Sequence, residues 1–319
     1  MSDLHLGLGP WGGDRRGPTE AFARLLDQSL LAEQLGFKSL WIPEGHFQPR
    51  GLFAAPLVVL AAIAARTRHI RLGTTSFLLP VRHPIRIAED VAVLDHLSGG
   101  RVILGVGRGF RRSLFDAFEL APSEKRDRFD AVLERVLSAW RGEPLPHVQD
   151  RELRVTPRPL QRPHPPIWVA AFGPKALAQA SRLGLPYLAS PVEPLERLVE
   201  NYARHREGLP ASIDPATLAV PAIRTVFATR DAARAREVRE ALETQARAAA
   251  RDVGGPARRA AEAPVDDWAL VGEPERVREL VLRYRERIGL THLIVRGQLP
   301  ATTPEETTRS LELLAGMFA

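Results

Sequence analysis

Gly36-Phe-Lys-Ser-Leu-Trp-Ile-Pro-Glu-Gly-His-Phe47 is the stretch on which the fold turns. Before it, Phe22, Leu25, Leu26, Leu30 and Leu31 recur at helical spacing, and Gly36 stops the pattern. Ser39 to Ile42 then form a short apolar strand, which Pro43 breaks, so that Glu44 and His46 fall on the loop that follows. In parallel α/β folds the C-terminal ends of the strands face the ligand. An acid and an imidazole at such an end ask whether the rest of the chain supplies the same kind of sheet.

Working outward, residues 4–9 alternate towards a first strand and run into the loop Pro10-Trp11-Gly12-Gly13. Downstream, the spacing predicts helices over 56–65 and 84–97 and strands over 70–74 and 102–106, which places four βα units in the first 110 residues. Strand and helix alternating at this short period argue for parallel strands with right-handed crossovers. A helix over 123–140 ends at Gly142 and leads into a Pro-rich, polar insertion over 144–166, after which the rhythm resumes. Strands follow at 167–171, 187–190, 220–228 and 291–296, with helices at 174–183, 194–205, 232–250 and 274–288, the last stopped by Gly289. Thr303-Pro304-Glu305-Glu306 is a capping box with Pro at N1 and opens a closing helix. The stretch 251–267, with Gly254-Gly255-Pro256, reads as a mobile lid or a disordered connection. Eight strands make a single α/β domain over 1–319: a (β/α)8 TIM barrel with an insertion after strand four and a mobile segment after strand seven. A doubly wound open sheet with an extra lobe fits the same count. The Ala- and Val-rich second and third helices cover the barrel or pack against a partner subunit.

Composition narrows the function. At 45% apolar residues, 319 residues bury a large core. The formal charge is +6 although the sequence pI is about 10.3. Lys38, Lys125 and Lys175 are the only lysines and cysteine is absent, so little titrates between neutral pH and the arginine range. The arginines are interleaved with Glu and Asp along helices, which reads as solvated faces and not as a nucleic-acid track. Without cysteine there is no disulfide, thiolate nucleophile or cysteine metal site. The longest apolar run, 54–65, is too short to span a bilayer, and no leader pattern opens the chain, so a cytoplasmic protein with no membrane partner is expected.

In such folds functional residues gather where strands end. After strand two come Glu44 and His46; the imidazole suits a general acid or base near neutral pH, or a donor to a reactive intermediate. After strand three, the Thr75 and Ser76 hydroxyls suit the polar edge of a planar ligand or a nearby backbone group. After strand four, Gly105-Val-Gly-Arg-Gly109 sets bare Gly107 and Gly109 around Arg108, so that backbone N–H groups and a guanidinium can meet an anion. It is not the dinucleotide fingerprint, and no helix signal follows it directly. After strand five, Phe172 and Gly173 precede Pro174 at a helix start, which favours phosphate. Together these point to one phosphate held by Arg108 and the backbone near Gly173. His69 and His83 suit packing or capping. No spacing suggests a catalytic metal, and no Gly-x-Ser-x-Gly elbow occurs.

The runs Ser39-Leu-Trp-Ile-Pro-Glu-Gly-His-Phe47, Ile70 to Pro84 and Leu94 to Gly109 resemble the bacterial luciferase-like monooxygenase family, as do Pro166-Ile-Trp-Val-Ala-Ala171 and Val271-Gly-Glu-Pro-Glu275. The resemblance implies a (β/α)8 barrel, a homodimer through the second and third helices, and reduced FMN or the deazaflavin F420 as cofactor. By position, Glu44, Thr74, Thr75 and Ser76 resemble residues at the flavin, where the family often has a non-prolyl cis peptide. Gly107, Arg108, Gly109, Phe172 and Gly173 resemble the phosphate site. Luciferase-type members tend to read Glu-His-His-Phe; here the first of those histidines is Gly45, and only His46 remains. The implied activity is a monooxygenase in which FMN reduced by a separate flavin reductase reacts with O2 to a C4a-(hydro)peroxyflavin that oxidises a small organic substrate, with His46 catalytic. The alternatives are F420-dependent hydride transfer, for which Arg111 and Arg112 would serve an acidic cofactor tail, and flavin binding without catalysis.

Overall fold

The computed structural model describes residues 5–9, 17–47, 53–146, 148–150, 152–171, 173–252, 262–297, 299 and 301–318. The chain forms two compact units, one from Met1–Ala21, Leu31–Trp41 and Ala171–Ala319, the other from Phe22–Leu30 and Ile42–Ala170.

In the first unit, β1 (His5–Leu8) lies parallel between β2 (Ser39–Ile42) and β10 (His292–Arg296), with Gly7 opposite Ser39 and His5 opposite His292. Next to β10 comes β8 (Pro221–Ala228), and beside the second half of β8 lies β9 (Ala269–Gly272), again parallel, with Thr225 opposite Ala269. The two-residue β7 (Tyr187–Leu188) also belongs here. The helices α6 (Pro174–Arg182), α7 (Leu195–Glu207), α8 (Ala232–Asp252), α9 (Pro274–Ile288) and α10 (Pro304–Phe318) complete it. Their starts follow local rules. Pro at the first turn costs no intrahelical bond, and the expected capping box forms at α10, where Glu306 N donates to Thr303 Oγ1 at 3.2 Å and Thr303 N donates to Glu306 Oε2 at 2.8 Å.

The second unit holds β3 (Arg71–Thr74), β4 (Phe77–Leu78), β5 (Val102–Gly107) and β6 (Ile167–Ala170). β5 is central: Val102 faces Leu72 of β3, Val106 faces Phe77 of β4, and Leu104 faces Ile167 of β6, all parallel. Every residue of β5 is buried, as expected of a parallel strand covered on both faces. The cover is α2 (Pro56–Arg66), α3 (Pro84–Ser98) and α5 (Lys125–Arg141), with α1 (Pro18–Gln34) contributing its middle turns. The α5 helix stops at Gly142 with φ 81°, a left-handed conformation that glycine adopts without steric cost. The 144–166 insertion carries no helix or strand among its described residues. Gln161 ties it down, donating through N and Nε2 to the two carboxylate oxygens of buried Asp95 at 2.8 and 2.7 Å.

Three elements depart from the sequence reading. A short helix, α4 (Arg112–Ala117), does follow the glycine-rich loop directly; its six residues are too few to show a period. The two-residue β4 and the four-residue β9 were not expected. Both are defined by the strand they lie beside and not by a pattern of their own. Of the expected lid over 251–267, residues 253–261 lie outside the described residues, while 265–267 form a 3-10 turn.

Candidate active site

The loop after β2 carries Glu44 inward. Its carboxylate has no exposed surface and accepts from three donors: Oε1 from His46 Nε2 at 2.6 Å and Arg82 Nη1 at 2.6 Å, and Oε2 from Leu78 N at 2.9 Å. Glu44, expected at the cofactor, therefore has both oxygens turned to protein groups. His46 is 11% exposed, with the Phe118 ring edge-on at 5.3 Å and Phe47 at 5.7 Å. Phe47 itself takes φ 54°, a left-handed conformation unusual for an aromatic residue.

β4 joins this acid–imidazole pair to the glycine-rich loop. Leu78 donates its N–H to Glu44 and lies opposite Gly107 in the pairing with β5. Just before β4, Thr75 donates its N–H to Ile42 O at 2.9 Å, and the Thr75–Ser76 peptide is cis. Thr74 is buried and gives its hydroxyl to Gly105 O at 2.7 Å, so that side chain closes a backbone gap. Ser76 sits so close over Gly107 that a Cβ there would lie 2.9 Å from Ser76 Cβ. Gly107 is thus fixed by a close approach, whereas Gly109, with φ 75°, is fixed by its backbone conformation.

Arg108 is buried. Its Nη2 donates to Ala170 O, and its guanidinium stands 5.2 Å from the Phe129 ring centroid. Burial, as the largest cause, lowers its pKa to about 10; Asp130 pulls it back up, and Arg126 lowers it further. Lys125 is lowered too, by burial first and then by Arg126 and Arg108. Three cations therefore crowd at the C-terminal end of β5 and the start of α5, in a field that favours an incoming anion. Gly173, with φ 85°, caps α6 in the other unit, and no atom within 4 Å would meet a Cβ there. Phe172 lies outside the described residues.

The structure adds Arg82, Phe118, Lys125 and Arg126 to the residues picked from the sequence. Nothing local in the sequence marks Arg82 as the partner of a carboxylate 38 positions away. Lys125 and Arg126 read there as an ordinary helix start. Among the described residues, no group of three or more His, Asp or Glu converges as a metal site would need.

The model of the luciferase-like monooxygenase family matches residues 7–292. The chain belongs to that family. Monooxygenase RslO1 from Streptomyces bottropensis has a solved structure that this luciferase-like chain matches with a TM-score of 0.85 at 30% identity, covering 98% of each chain. The 4-hydroxyprotoasukamycin monooxygenase of Streptomyces nodosus subsp. asukaensis is 33% identical over 200 residues, 61% of this chain and 52% of the relative. The oxygenating constituent of 3,6-diketocamphane monooxygenase from Pseudomonas putida, solved in complex with FMN, is similar with a TM-score of 0.79, covering 98% of this chain and 97% of that one; at 21% identity it speaks for the fold alone. The likeness spans about half the length of the curated relatives. The luciferase-like family fold is the TIM barrel, one of the two folds that the strand pattern in the sequence allowed. No helix among the described residues is long and apolar enough to cross a membrane.

Proposed function

We propose that the chain is the oxygenase of a two-component system, taking FMN reduced by a separate flavin reductase and using O2 to oxidise a small organic substrate. The observation that carries the reading is the double attachment of β4. By holding Leu78 to Glu44 and pairing it with Gly107, this strand ties the loop of the imidazole to the strand end that carries the buried guanidinium of Arg108. The residues fit the cofactor: Arg108, with Lys125 and Arg126 beside it, suits a phosphate, and the absence of a side chain at Gly107 lets Ser76 sit directly against the glycine-rich strand end. In the first unit, the backbone at Gly173, at the start of α6, suits an anion in its own right. Reduced FMN, when bound, supplies two electrons and the means of activating O2.

The chain's own part is positioning and proton handling. Glu44 accepts from His46 Nε2, which fixes the ring and leaves Nδ1 to donate to, or accept from, the reacting group. Arg82 fixes Glu44 in turn. Phe118 and Phe47 flank the imidazole and limit water around it.

We also infer a homodimer through α2 and α3, which present Val58 (70% exposed), Val93 (44%) and Leu97 (62%) to solvent in a single copy. Anaerobic titration with reduced FMN and with reduced F420, each followed by admission of O2, tests the reading. Tight binding of reduced FMN and O2 uptake that His46→Ala cuts by about 100-fold support it. Preference for F420 without O2 uptake would replace it with hydride transfer; FMN binding with no uptake would leave a flavin carrier; and binding of neither would remove the flavin assignment.

A further inference from the structure

Beside Arg82, the second unit opens into a cleft of about 490 Å³ that shares Arg82 and Phe118 with the site above but adds His83, Arg128 and Arg135, which the flavin reading does not use. That volume is in the range of small-molecule sites, ~300–1,000 Å³. Its walls carry Arg82, His83, Arg128 and Arg135 over an apolar floor that includes Phe118 and Val132, and no Asp or Glu lines it.

The charges there are unequally compensated. Arg82 gives Nη1 to Glu44 and to Leu78 O, while its Nε and Nη2 have no hydrogen-bond partner among the described residues. Arg128 gives Nε to Pro80 O at 3.2 Å, a carbonyl that orients the guanidinium without neutralising it. Arg135 is exposed and has no hydrogen bond or ion pair among the described residues. Arg128 and Arg135 are seven residues apart on α5, hence on the same helix face and roughly 10 Å apart along the axis. His83, for which packing or capping was expected, makes no side-chain cap at the start of α3; it is exposed on the cleft wall.

We propose that this cleft binds an organic anion: a carboxylate whose head group bridges the guanidinium groups and whose apolar body lies on Phe118 and Val132. A guanidinium pairs with a carboxylate through two parallel N–H donors, and the unused nitrogens of Arg82 supply such donors. The apolar floor distinguishes such a ligand from a bare inorganic ion. Because Arg82 also holds Glu44, an occupant shares a guanidinium with the carboxylate that fixes His46. The cleft is therefore placed to sense a substrate or effector of this class.

The test uses the full chain without flavin, so that failure here leaves the oxygenase reading untouched. Calorimetric titration with octanoate, octan-1-ol and inorganic phosphate, with the control variant Arg86→Gln, is expected to show saturable octanoate binding at least tenfold tighter than either other probe. Arg128→Gln/Arg135→Gln is expected to weaken octanoate at least tenfold while Arg86→Gln does not. Should the double variant fail to fold, Arg135→Glu alone, at an exposed side chain, is expected to give the same tenfold loss. Absence of saturable octanoate binding, or binding equal in all variants, overturns the proposal. So does a double variant that changes the sedimenting mass of a protein which binds no octanoate, for the cleft is then a contact between copies of the chain.

Discussion

Oε1 of Glu44 lies 2.6 Å from His46 Nε2 and also 2.6 Å from Arg82 Nη1, so that one carboxylate oxygen bridges an imidazole and a guanidinium. The glutamate is fully enclosed, while the arginine keeps 22% of its side-chain surface. A buried charge with two cationic or donor neighbours is a device for fixing orientation. Its removal leaves its partners worse off than if they too were absent.

Glu44→Gln is therefore expected to destabilise the protein by about 3 kcal/mol, the lower end for breaking a buried pair because Arg82 can still reach water. Glu44→Gln/Arg82→Met is expected to recover part of that loss, since no uncompensated guanidinium remains. Urea midpoints of the two single variants and the double variant decide the matter. A double variant as unstable as the sum of the singles would show that the two residues are not coupled.

Arg108 makes a separate prediction, because riboflavin lacks the phosphate that FMN carries. Arg108→Gln is expected to weaken reduced FMN by roughly 10- to 100-fold, the worth of charge-assisted hydrogen bonds, and to leave reduced riboflavin nearly unchanged. Burial lowers the Arg108 pKa to about 10, so the folded protein loses this proton before an unfolded chain does. FMN affinity should accordingly be level near neutral pH and fall as pH rises through about 10, with a smaller fall for riboflavin. Equal losses for the two flavins would make Arg108 a structural residue only.

Gly107 offers a steric test of the same edge. A methyl group there would sit 2.9 Å from Ser76 Cβ, closer than unbonded carbons approach, and Ser76 is held by the backbone around Thr75. Gly107→Ala is expected to cost about 1–3 kcal/mol, as overpacking does. It should also weaken FMN and riboflavin alike, which separates it from Arg108→Gln. An unchanged thermal midpoint with unchanged flavin binding would show that Ser76 moves aside freely.

What was legible in the sequence is what local rules determine. Helix stops at Gly142 and Gly289, the capping box of Thr303 and Glu306, and the strand ending at Pro43 all depend on residues within a few positions of one another. The strand-end rule placed Glu44, His46 and Arg108, since alternation of strand and helix was enough to say which loops lie at the C-terminal ends. What escaped depends on distant partners. β9 is four residues long and is a strand because β8 lies beside it; α4 is too short for a period; and Arg82 became part of the site only when the chain brought it to Glu44. The hydrogen bond of Thr74 also escaped, because an acceptor such as Gly105 O, on another strand, cannot be seen from Thr74's neighbours.

His205, in the other unit, gives the protein an acid-sensitive point. It is buried, its Nε2 donates to Leu185 O at 2.9 Å, and burial lowers its pKa below the usual 6.5. A depressed pKa means that the unfolded chain takes up this proton first. The stabilising contribution is thus complete above about pH 6.5 and is lost as pH falls from there through the lower folded value. Glu193 acts with the opposite sign: burial raises its pKa, so its contribution is lost as pH rises. Comparing His205→Gln with the parent isolates the histidine. The parent's urea midpoint should fall more steeply on acidification below about pH 6.5 than the variant's, and parallel slopes would mean that His205 takes up its proton as readily folded as unfolded.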